Sequence, residues 1–482
     1  MSLTESRVGE HPAFRGGFTP VTEEITAFDL PVTGRIPAEL NGRYLRNGPN
    51  PMNLDDPRLH LFAGDGMVHG VRLRDGRAEW YRNRWVRSAR VAERLGEPWP
   101  GGPVHAGMDF AANTHVIGHA GRTLALVESG PRPYELGYEL DTLGVCDFGG
   151  TLPGGYVAHP KLDPATGELH AIAYYWGRAH VQYVRIGRDG LVTRTVDIPI
   201  PDQPMVHDCA LTERYVVVYD LPVTFDMELA RQGADIPYSW TDGRPARVGL
   251  LPRDGGAADV RWFEIEPCWV FHTLNAYDDG DRVVIDLVVY PRLFDGGRLA
   301  GGLPALDRWT IDPAAGTVTV TRLDDRPQEF PRVDERRVGR PYRYGYAVVT
   351  GELTERFAAG HVDLGDLDDE AFGNALLKHD LRTGAVQART LHRDAYAGEP
   401  VFVPAEGADA EDDGYVLAFV NDPERGAADL LILSAQDFTG DPVAVAHLPA
   451  RIPLGFHGSW IPDPLRISTG PPARARAGPR SR

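Results

Sequence analysis

Residues 268–290, CWVFHTLNAYDDGDRVVIDLVVY, decide the fold class of this chain. An apolar run leads to His272, the stretch DDGD provides a turn, and a valine-rich run returns. β-Branched and aromatic residues on both sides of such a turn predict two antiparallel strands. The same arrangement recurs along the chain, and we therefore expect an all-β fold.

Seven strand–turn–strand units can be counted. They are HLFAGDGMVHGVRLRDGRAEWYRNRWV, NTHVIGHAGRTLALVE, AHPKLDPATGELHAIAYYW, VHDCALTERYVVVYDLP, FHTLNAYDDGDRVVIDLVVYP, YRYGYAVVTG, and EPVFVPAEGADAEDDGYVLAFVND followed by ADLLILSA. An even division of the 482 residues leaves about 69 per unit, enough for four short strands and long loops. The count predicts a seven-bladed β-propeller, although no WD or kelch signature is present. A pair of β-sandwiches is the alternative.

Short helices are expected at residues 223–235 and 367–380, as insertions in a loop cap over one face. Proline and glycine, with 40 and 54 residues, are spread through the chain and mark no linker. We therefore expect one propeller domain over residues 1–462. Residues 463–482 are rich in Pro, Gly and Arg, which predicts a disordered tail.

The composition argues against several classes of partner. The 68 acidic and 50 basic side chains give a formal charge of −18, which opposes binding to nucleic acid or anionic lipid. The three cysteines form no CxxC pair, and neither an export signal nor a membrane-spanning run is evident. We expect a soluble, cytoplasmic monomer. A transient contact with a membrane surface is left open.

Four histidines occupy the same kind of position in these units. His159, His207 and His272 each follow an apolar stretch and precede a turn and a returning strand, and His457 lies in PLGFHGSWIP. In a propeller the innermost strand of every blade begins beside the central axis, so distant residues can meet there. A hydrogen bond at a turn explains any one of them alone. Four together indicate a metal site, because imidazole is the commonest metal ligand.

Nitrogen ligands suit iron, copper, nickel or zinc, and the residues alone do not choose among these metals. A six-coordinate ion would keep two positions open, as activation of O2 beside an organic substrate requires. A histidine that binds a metal usually donates its other N–H to a carboxylate. Glu128, Glu329 and Glu399 lie at or beside apolar strands, where a buried carboxylate needs a partner. Glu128 and Glu399 could instead be solvent-facing strand ends.

Nine strings, in this order, resemble the carotenoid cleavage oxygenase family, which also includes stilbenoid-cleaving dioxygenases. They are NGRYLRNGPNP, GDGMVHG, NTHVIGHAGRTLALVESG, AHPKLDPATGELHA, MVHDCALTERYVVVYDLPV, FHTLNAYDDGD, EFPRVD, EPVFVP and LGFHGSW. The resemblance implies a seven-bladed propeller with Fe(II) on its axis. The site residues it implies are the ligands His159, His207, His272 and His457 and the supporting carboxylates Glu128, Glu329 and Glu399.

The reaction implied by the resemblance is cleavage of a conjugated C=C bond, with O2 as co-substrate and two carbonyl products. In the stilbenoid-cleaving branch a lysine precedes the first of the three glutamates, whereas this chain has Val127. That difference favours a carotenoid, apocarotenoid or related polyene over a stilbenoid or phenylpropanoid. A metal-dependent isomerohydrolase that consumes no O2 and a non-catalytic binding propeller are further alternatives.

Overall fold

The computed structural model describes residues 11–464, except residues 12, 15, 296–297, 351–373 and 393. Within these residues the chain forms seven antiparallel sheets of at least four strands, together with two short two-stranded hairpins. The sheets follow one another in chain order around a central axis. The predicted seven-bladed propeller is confirmed, and the alternative of two sandwiches is wrong.

The strands of blades 1 to 3 follow one another in hydrogen-bonded order as follows. Blade 1 is Thr26–Phe28, Arg77–Trp85, Gly66–Arg74, Gly42–Pro49 and Gly458–Pro462. Blade 2 is His115–His119, Arg122–Leu126, Tyr134–Leu136 and Thr142–Val145. Blade 3 is Lys161–Leu162, Leu169–Ala173, His180–Ile186 and Val192–Pro199.

Blades 4 to 7 follow the same plan. Blade 4 is Cys209–Leu211, Tyr215–Asp220, Ala246–Pro252 and Arg261–Ile265. Blade 5 is Trp269–Asp279, Arg282–Tyr290, Ala305–Asp312 and Thr317–Asp324. Blade 6 is Gln328–Val333, Tyr344–Val349, Ala375–Asp380 and Ala385–Thr390. Blade 7 is Val32–Gly34, Ala444–His447, Ala427–Ser434 and Gly414–Asp422, the last of which also pairs with Tyr396–Ala397 and Val401–Pro404.

The remaining elements are short. The hairpins are Val223–Phe225 with Tyr238–Trp240 and Leu293–Asp295 with Arg298–Ala300. The α-helices are Ala89–Leu95 and Met227–Arg231, and the 3-10 turns are Gly16–Phe18, Leu61–Ala63, Ala257–Asp259 and Glu335–Arg337.

Strands from both ends of the chain close the ring. Gly458–Pro462 pairs with Gly42–Pro49 in blade 1, and Val32–Gly34 pairs with Ala444–His447 in blade 7. Each closure joins backbone groups from opposite ends of the chain, so neither blade depends on one end of the chain alone. We call the strands nearest the axis the inner ring. They are Gly458–Pro462, His115–His119, Lys161–Leu162, Cys209–Leu211, Trp269–Asp279, Gln328–Val333 and Val401–Pro404.

The apolar core lies between neighbouring blades. Its largest cluster runs through blades 2 to 5 and includes Trp269 and Trp309, which are almost completely buried. A second cluster joins blades 7 and 1 around Tyr44 and Phe419. Each buried large apolar side chain contributes about 1.5–3 kcal/mol. The scaffold that positions the axis is therefore stabilised mainly by packing between sheets.

The two predicted helices have different outcomes. In residues 223–235 a helix forms only at Met227–Arg231, where the Asp226 side chain accepts the first free N–H groups. Residues 375–380 form a central strand of blade 6, so the helix predicted there is wrong, and residues 367–373 lie outside the described residues. Hydrogen bonds to the strands on both sides of residues 375–380, together with burial of the apolar side chains there, outweigh the local helical pattern.

One helix was not predicted, although the sequence contains its signals. Ser88 caps the N-terminus of Ala89–Leu95 by accepting the Val91 N–H, and Gly96 ends the helix with a φ of 69°. Within the described residues, no helix is long and apolar enough to span a membrane. The predicted tail covers residues 463–482. Its first residue, Asp463, pairs with Arg74 at 2.9 Å, and residues 465–482 lie outside the described residues.

Candidate metal centre

The four predicted histidines lie where strands of the inner ring begin. His159 and His207 come just before Lys161–Leu162 and Cys209–Leu211, and His457 directly precedes Gly458–Pro462. His272 lies inside Trp269–Asp279, where the register shifts between Val270 and Thr273. A bulge of this kind turns side chains out of the regular alternation of a strand. The predicted common position of the histidines is therefore present in the fold.

The four imidazole rings converge on the axis. Nitrogens of His159, His207 and His272 all lie within 4.8 Å of one another, which makes these three a group able to hold a metal ion. The Nε2 atoms of His207 and His272 are 3.2 Å apart. His457 is outside that group of three, but its ring centroid lies 4.6 Å from those of His159 and His272.

Each of the three predicted glutamates contacts one or two of these histidines. Oε1 of Glu128 lies 2.6 Å from Nδ1 of His207 and 3.3 Å from Nε2 of His159. The other two contacts are equally direct. Nδ1 of His272 lies 2.5 Å from Oε2 of Glu329, and Nδ1 of His457 lies 2.9 Å from Oε1 of Glu399.

These contacts determine which nitrogens remain free. In three of the histidines a carboxylate engages Nδ1, which leaves Nε2 for another partner. Glu329 and Glu399 are 5% and 2% exposed, so neither is a solvent-facing strand end. Glu128 is also largely enclosed, with its side chain 11% exposed.

Burial and neighbouring charges set the protonation of the cluster. Burial, together with the adjacent imidazoles, holds the pKa of His159 and His457 well below the ordinary 6.5. Burial also acts to lower the pKa of His272, but the carboxylates of Glu329, Asp208 and Glu399 together outweigh burial, and the net pKa of His272 is raised. Neutral imidazoles carry the free lone pair that metal coordination requires.

Four phenylalanines, which we call the phenylalanine group, lie beside the histidines. The ring of Phe271 is 4.8 Å from that of His207, and the ring of Phe330 is 5.5 Å from His272 and 5.3 Å from His457. Phe62 packs against Phe271 and Phe456 at 6.2 and 5.6 Å. The centre therefore has an apolar, aromatic neighbourhood.

Phe330 belongs to a second bulge, in the inner strand of blade 6. The register there shifts between Glu329 and Arg332, and Phe330 has a φ of 54°, which is unusual for a bulky residue. Its N–H donates to Oε2 of Glu329 at 2.7 Å. One irregular turn thus carries both a carboxylate that contacts His272 and a ring that packs on His272. Strained backbone of this kind is common at functional sites.

An axial cavity of about 620 Å³ reaches His159, His272 and His457. Charged side chains lie in its wall, among them Lys161 and Asp208, but no member of the phenylalanine group does. The histidines consequently lie between two different environments, an aromatic group and an axial cavity whose wall includes both apolar and charged side chains.

Sequence reasoning missed several residues of the site. Phe271 and Phe456 directly precede His272 and His457, and that adjacency was a usable signal. Tyr174, whose hydroxyl donates to Oε2 of Glu128 at 2.8 Å, and Arg332, which pairs with Glu399 at 2.7 Å, left no readable signal.

His115 begins the inner strand of blade 2, and its ring lies 5.3 Å from that of His457. Its Nδ1 is 2.9 Å from the carbonyl oxygen of Ala158, directly before His159 in the chain. Burial lowers the pKa of His115 to about 3. This contact supports a structural role for His115, because the hydrogen bond ties the inner strand of blade 2 to the loop that carries His159.

Comparisons with known proteins agree with this architecture. The family model described as "Retinal pigment epithelial membrane protein" matches residues 18–462. A carotenoid cleavage oxygenase of Mycobacterium tuberculosis is 47% identical over an alignment that covers 96% of this chain and 100% of that protein.

Two solved structures share the fold along almost their whole length. Pseudomonas brassicacearum lignostilbene dioxygenase is 32% identical with a TM-score of 0.81, covering 94% of this chain and 99% of that one. Cobalt-substituted Synechocystis apocarotenoid oxygenase is 29% identical with a TM-score of 0.79, covering 93% and 98%. The family match over most of the chain and the identity to the mycobacterial protein show that this chain belongs to the carotenoid cleavage oxygenase family.

Proposed function

We propose that this protein is an iron(II) dioxygenase that cleaves a conjugated C=C bond of a carotenoid, apocarotenoid or related polyene with O2, yielding two carbonyl products. The observation that carries the proposal is the convergence of four imidazoles on the propeller axis, with three carboxylates behind them. The activities named for the relatives support the same reaction class.

The residues fit a divalent metal ion. Two nitrogens that bind one ion at about 2.1 Å and at a right angle lie about 3 Å apart. The 3.2 Å between the Nε2 atoms of His207 and His272 agrees with that spacing. Nε2 of His159 is buried and forms no hydrogen bond, although Oε1 of Glu128 lies 3.3 Å away. A buried nitrogen without a hydrogen bond is costly unless a ligand binds it. His159, His207, His272 and His457 would hold the ion, and imidazole ligands suit iron.

When bound, the iron would supply the Lewis acidity and the redox chemistry needed to combine O2 with an alkene. The side chains of this protein prepare the site for that chemistry. Glu128, Glu329 and Glu399 hold the imidazoles in orientations that direct ligand nitrogens at one point. Phe271 and Phe330 cover the histidines with flat apolar surface, which excludes water and packs well against a conjugated chain.

The residue before Glu128 bears on the substrate. Val127 is 6% exposed, so an aliphatic side chain stands where a lysine would support a phenolate. A phenolic substrate would have to be bound there without a cation, which is unfavourable for the charged form. We therefore infer a polyene substrate. Cleavage of a stilbenoid is the second candidate, supported by the similarity to the lignostilbene dioxygenase structure.

A substrate panel under labelled oxygen tests the proposal. Protein reconstituted with Fe(II) without air is mixed with apocarotenoids and hydroxystilbenes under ¹⁸O2, and oxygen uptake and product mass are followed. We expect label in the carbonyl products of the polyene. His272→Ala should abolish iron retention and cleavage, whereas His392→Ala, an exposed control, should change neither.

The other outcomes separate the alternatives. Products formed without oxygen uptake would contradict the dioxygenase and indicate an isomerohydrolase. Wild-type protein that retains no iron would indicate a non-catalytic propeller. The cytoplasmic location and the monomeric state stay predictions, and the second can be checked by sedimentation.

A further inference from the structure

Arg332 is a largely buried cation in the inner strand of blade 6, with its side chain 14% exposed. Its Nη1 donates to Oε2 of Glu399 at 2.7 Å and to the carbonyl oxygen of Gly458 at 2.9 Å. Its Nη2 donates to Oε1 of Glu335 at 2.6 Å. One guanidinium therefore joins the inner strands of blades 6 and 1 to the loop before the inner strand of blade 7.

Both contacts of Nη1 are to direct neighbours of His457, because Glu399 contacts its side chain and Gly458 follows it in the chain. Oε1 of Glu399 accepts the Nδ1–H of His457 at 2.9 Å, while Oε2 accepts the Gly458 N–H at 2.9 Å as well as Arg332. The buried Tyr44 hydroxyl donates to the backbone carbonyl of Glu399 at 3.1 Å. The carboxylate that holds His457 is thus itself held at both oxygens.

The other two carboxylates have no comparable cation. Oε2 of Glu128 accepts the Tyr174 hydroxyl, and Oε2 of Glu329 accepts the Phe330 N–H. Among the described residues, neither glutamate forms an ion pair with arginine or lysine. Arg332 is therefore specific to the His457 side of the centre, where the histidine lies outside the close group of three nitrogens.

Arg332 affects the charge balance of the candidate metal centre. Four neutral imidazoles, a divalent ion and three carboxylates carry one negative charge in excess. An uncompensated charge in a buried site is costly. The guanidinium of Arg332 offsets that excess at the buried Glu399, because it is permanently protonated and directly contacts this carboxylate. Its other carboxylate partner, Glu335, is half-exposed, so solvent screens the charge of Glu335.

We propose that Arg332 is a positioning residue of the metal centre, which orients His457 through Glu399 and neutralises the third carboxylate. This inference rests on the proposed function, because it presupposes that the four histidines bind a metal. A merely structural arginine would join the three blades equally well. The two roles differ in how they affect metal affinity, and that difference can be measured without catalysis.

The test is a titration of metal-free protein with Co²⁺, followed by visible absorption and by equilibrium dialysis. We expect Arg332→Met to bind cobalt about 10- to 100-fold more weakly and with an altered spectrum. Arg332→Lys should recover part of the loss, since it keeps the charge without the planar fork. Arg308→Met is the matched control, because Arg308 forms a bidentate pair with the buried Asp286 in blade 5.

A double-mutant cycle with Glu399→Gln tests whether Arg332 acts on the metal centre through Glu399. That variant removes the excess negative charge, so adding Arg332→Met to it should cause no further loss of cobalt affinity. Wild-type affinity in Arg332→Met, or full additivity with Glu399→Gln, would overturn the proposal.

Two further outcomes are also decisive. If Arg332→Met does not fold, as judged by thermal unfolding of the metal-free protein, Arg332→Lys carries the test, and wild-type affinity in that variant overturns the proposal. Wild-type protein that binds no cobalt would instead overturn the metal centre itself.

Discussion

Nδ1 of His272 and Oε2 of Glu329 lie 2.5 Å apart, and both residues are at least nine-tenths buried. A hydrogen bond to a charged carboxylate is short and strong, and it is stronger in a buried site. It assigns the proton to Nδ1 and leaves Nε2 facing Nε2 of His207. The Glu329 carboxylate of blade 6 therefore acts, through the imidazole of His272, on the nitrogen in blade 5 that is free to bind a metal.

Glu329→Gln should weaken metal binding because a neutral amide no longer stabilises the orientation and basicity of His272. We expect a loss of about 10- to 100-fold in affinity for iron or cobalt. Glu264→Gln, an exposed residue of blade 4, is the control. Unchanged metal content in Glu329→Gln, measured by elemental analysis, would contradict this role.

Phe330→Ala should impair substrate binding and spare the metal. Removal of a ring that packs on His272 and His457 costs about 0.5–1.5 kcal/mol, or about 2- to 10-fold in KM for a polyene. Steady-state kinetics at equal iron content measures the effect. Phe28→Ala, at a ring that is 63% exposed, should have no effect. Equal KM values for both variants would show that Phe330 does not contact the substrate.

Val127→Lys should shift the preference toward phenolic stilbenes. A new cation beside Glu128 can donate to a phenolate, and a hydrogen bond to a charged group contributes about 1.5–3 kcal/mol. We expect the ratio of kcat/KM for a hydroxystilbene over an apocarotenoid to rise at least about tenfold, with Val127→Leu as the control. An unchanged ratio would mean that this position does not meet the phenol.

Removal of the metal should stop the reaction without unfolding the protein. The propeller is stabilised by apolar packing between blades, which involves no metal ligand. After dialysis against a chelator we expect no oxygen uptake, a circular dichroism spectrum like that of the untreated protein, and recovery on addition of Fe(II). A small fall in Tm is expected, because a ligand of the folded state stabilises it. Loss of the β-sheet signal would contradict this separation.

Acid should destabilise the protein through buried neutral histidines. Burial, with a contribution from Arg253, lowers the pKa of His170 to about 3, below its ordinary 6.5. The unfolded chain then binds a proton first, so stability is full above pH 6.5 and falls as the pH drops toward about 3. One such group contributes about 1.4 kcal/mol per pH unit.

His170→Asn removes this titration while keeping a partner for the Tyr183 hydroxyl, which lies 2.8 Å from Nδ1. Urea unfolding between pH 6.5 and 4.5 should show a shallower loss of stability in His170→Asn than in wild type. The exposed variant His392→Asn is the comparison. Parallel curves for all three proteins would exclude His170 as a cause of acid sensitivity.

The sequence by itself determined the fold class, the blade count and the common position of His159, His207, His272 and His457. Turn residues and runs of β-branched residues are local signals, so they can be read without knowledge of the tertiary contacts. Glu128, Glu329 and Glu399 could be identified in the same way, as carboxylates next to apolar strands.

Only the tertiary structure decided which groups meet at the axis. The contacts of Arg332 with Glu399 and Gly458, and of Tyr174 with Glu128, join different blades, and no local pattern encodes them. The bulge at Phe330 and the strand at residues 375–380 likewise depend on neighbouring strands that override local preference. The physical reason is that closing the ring brings distant segments into contact, and these contacts depend on the register and packing of whole blades.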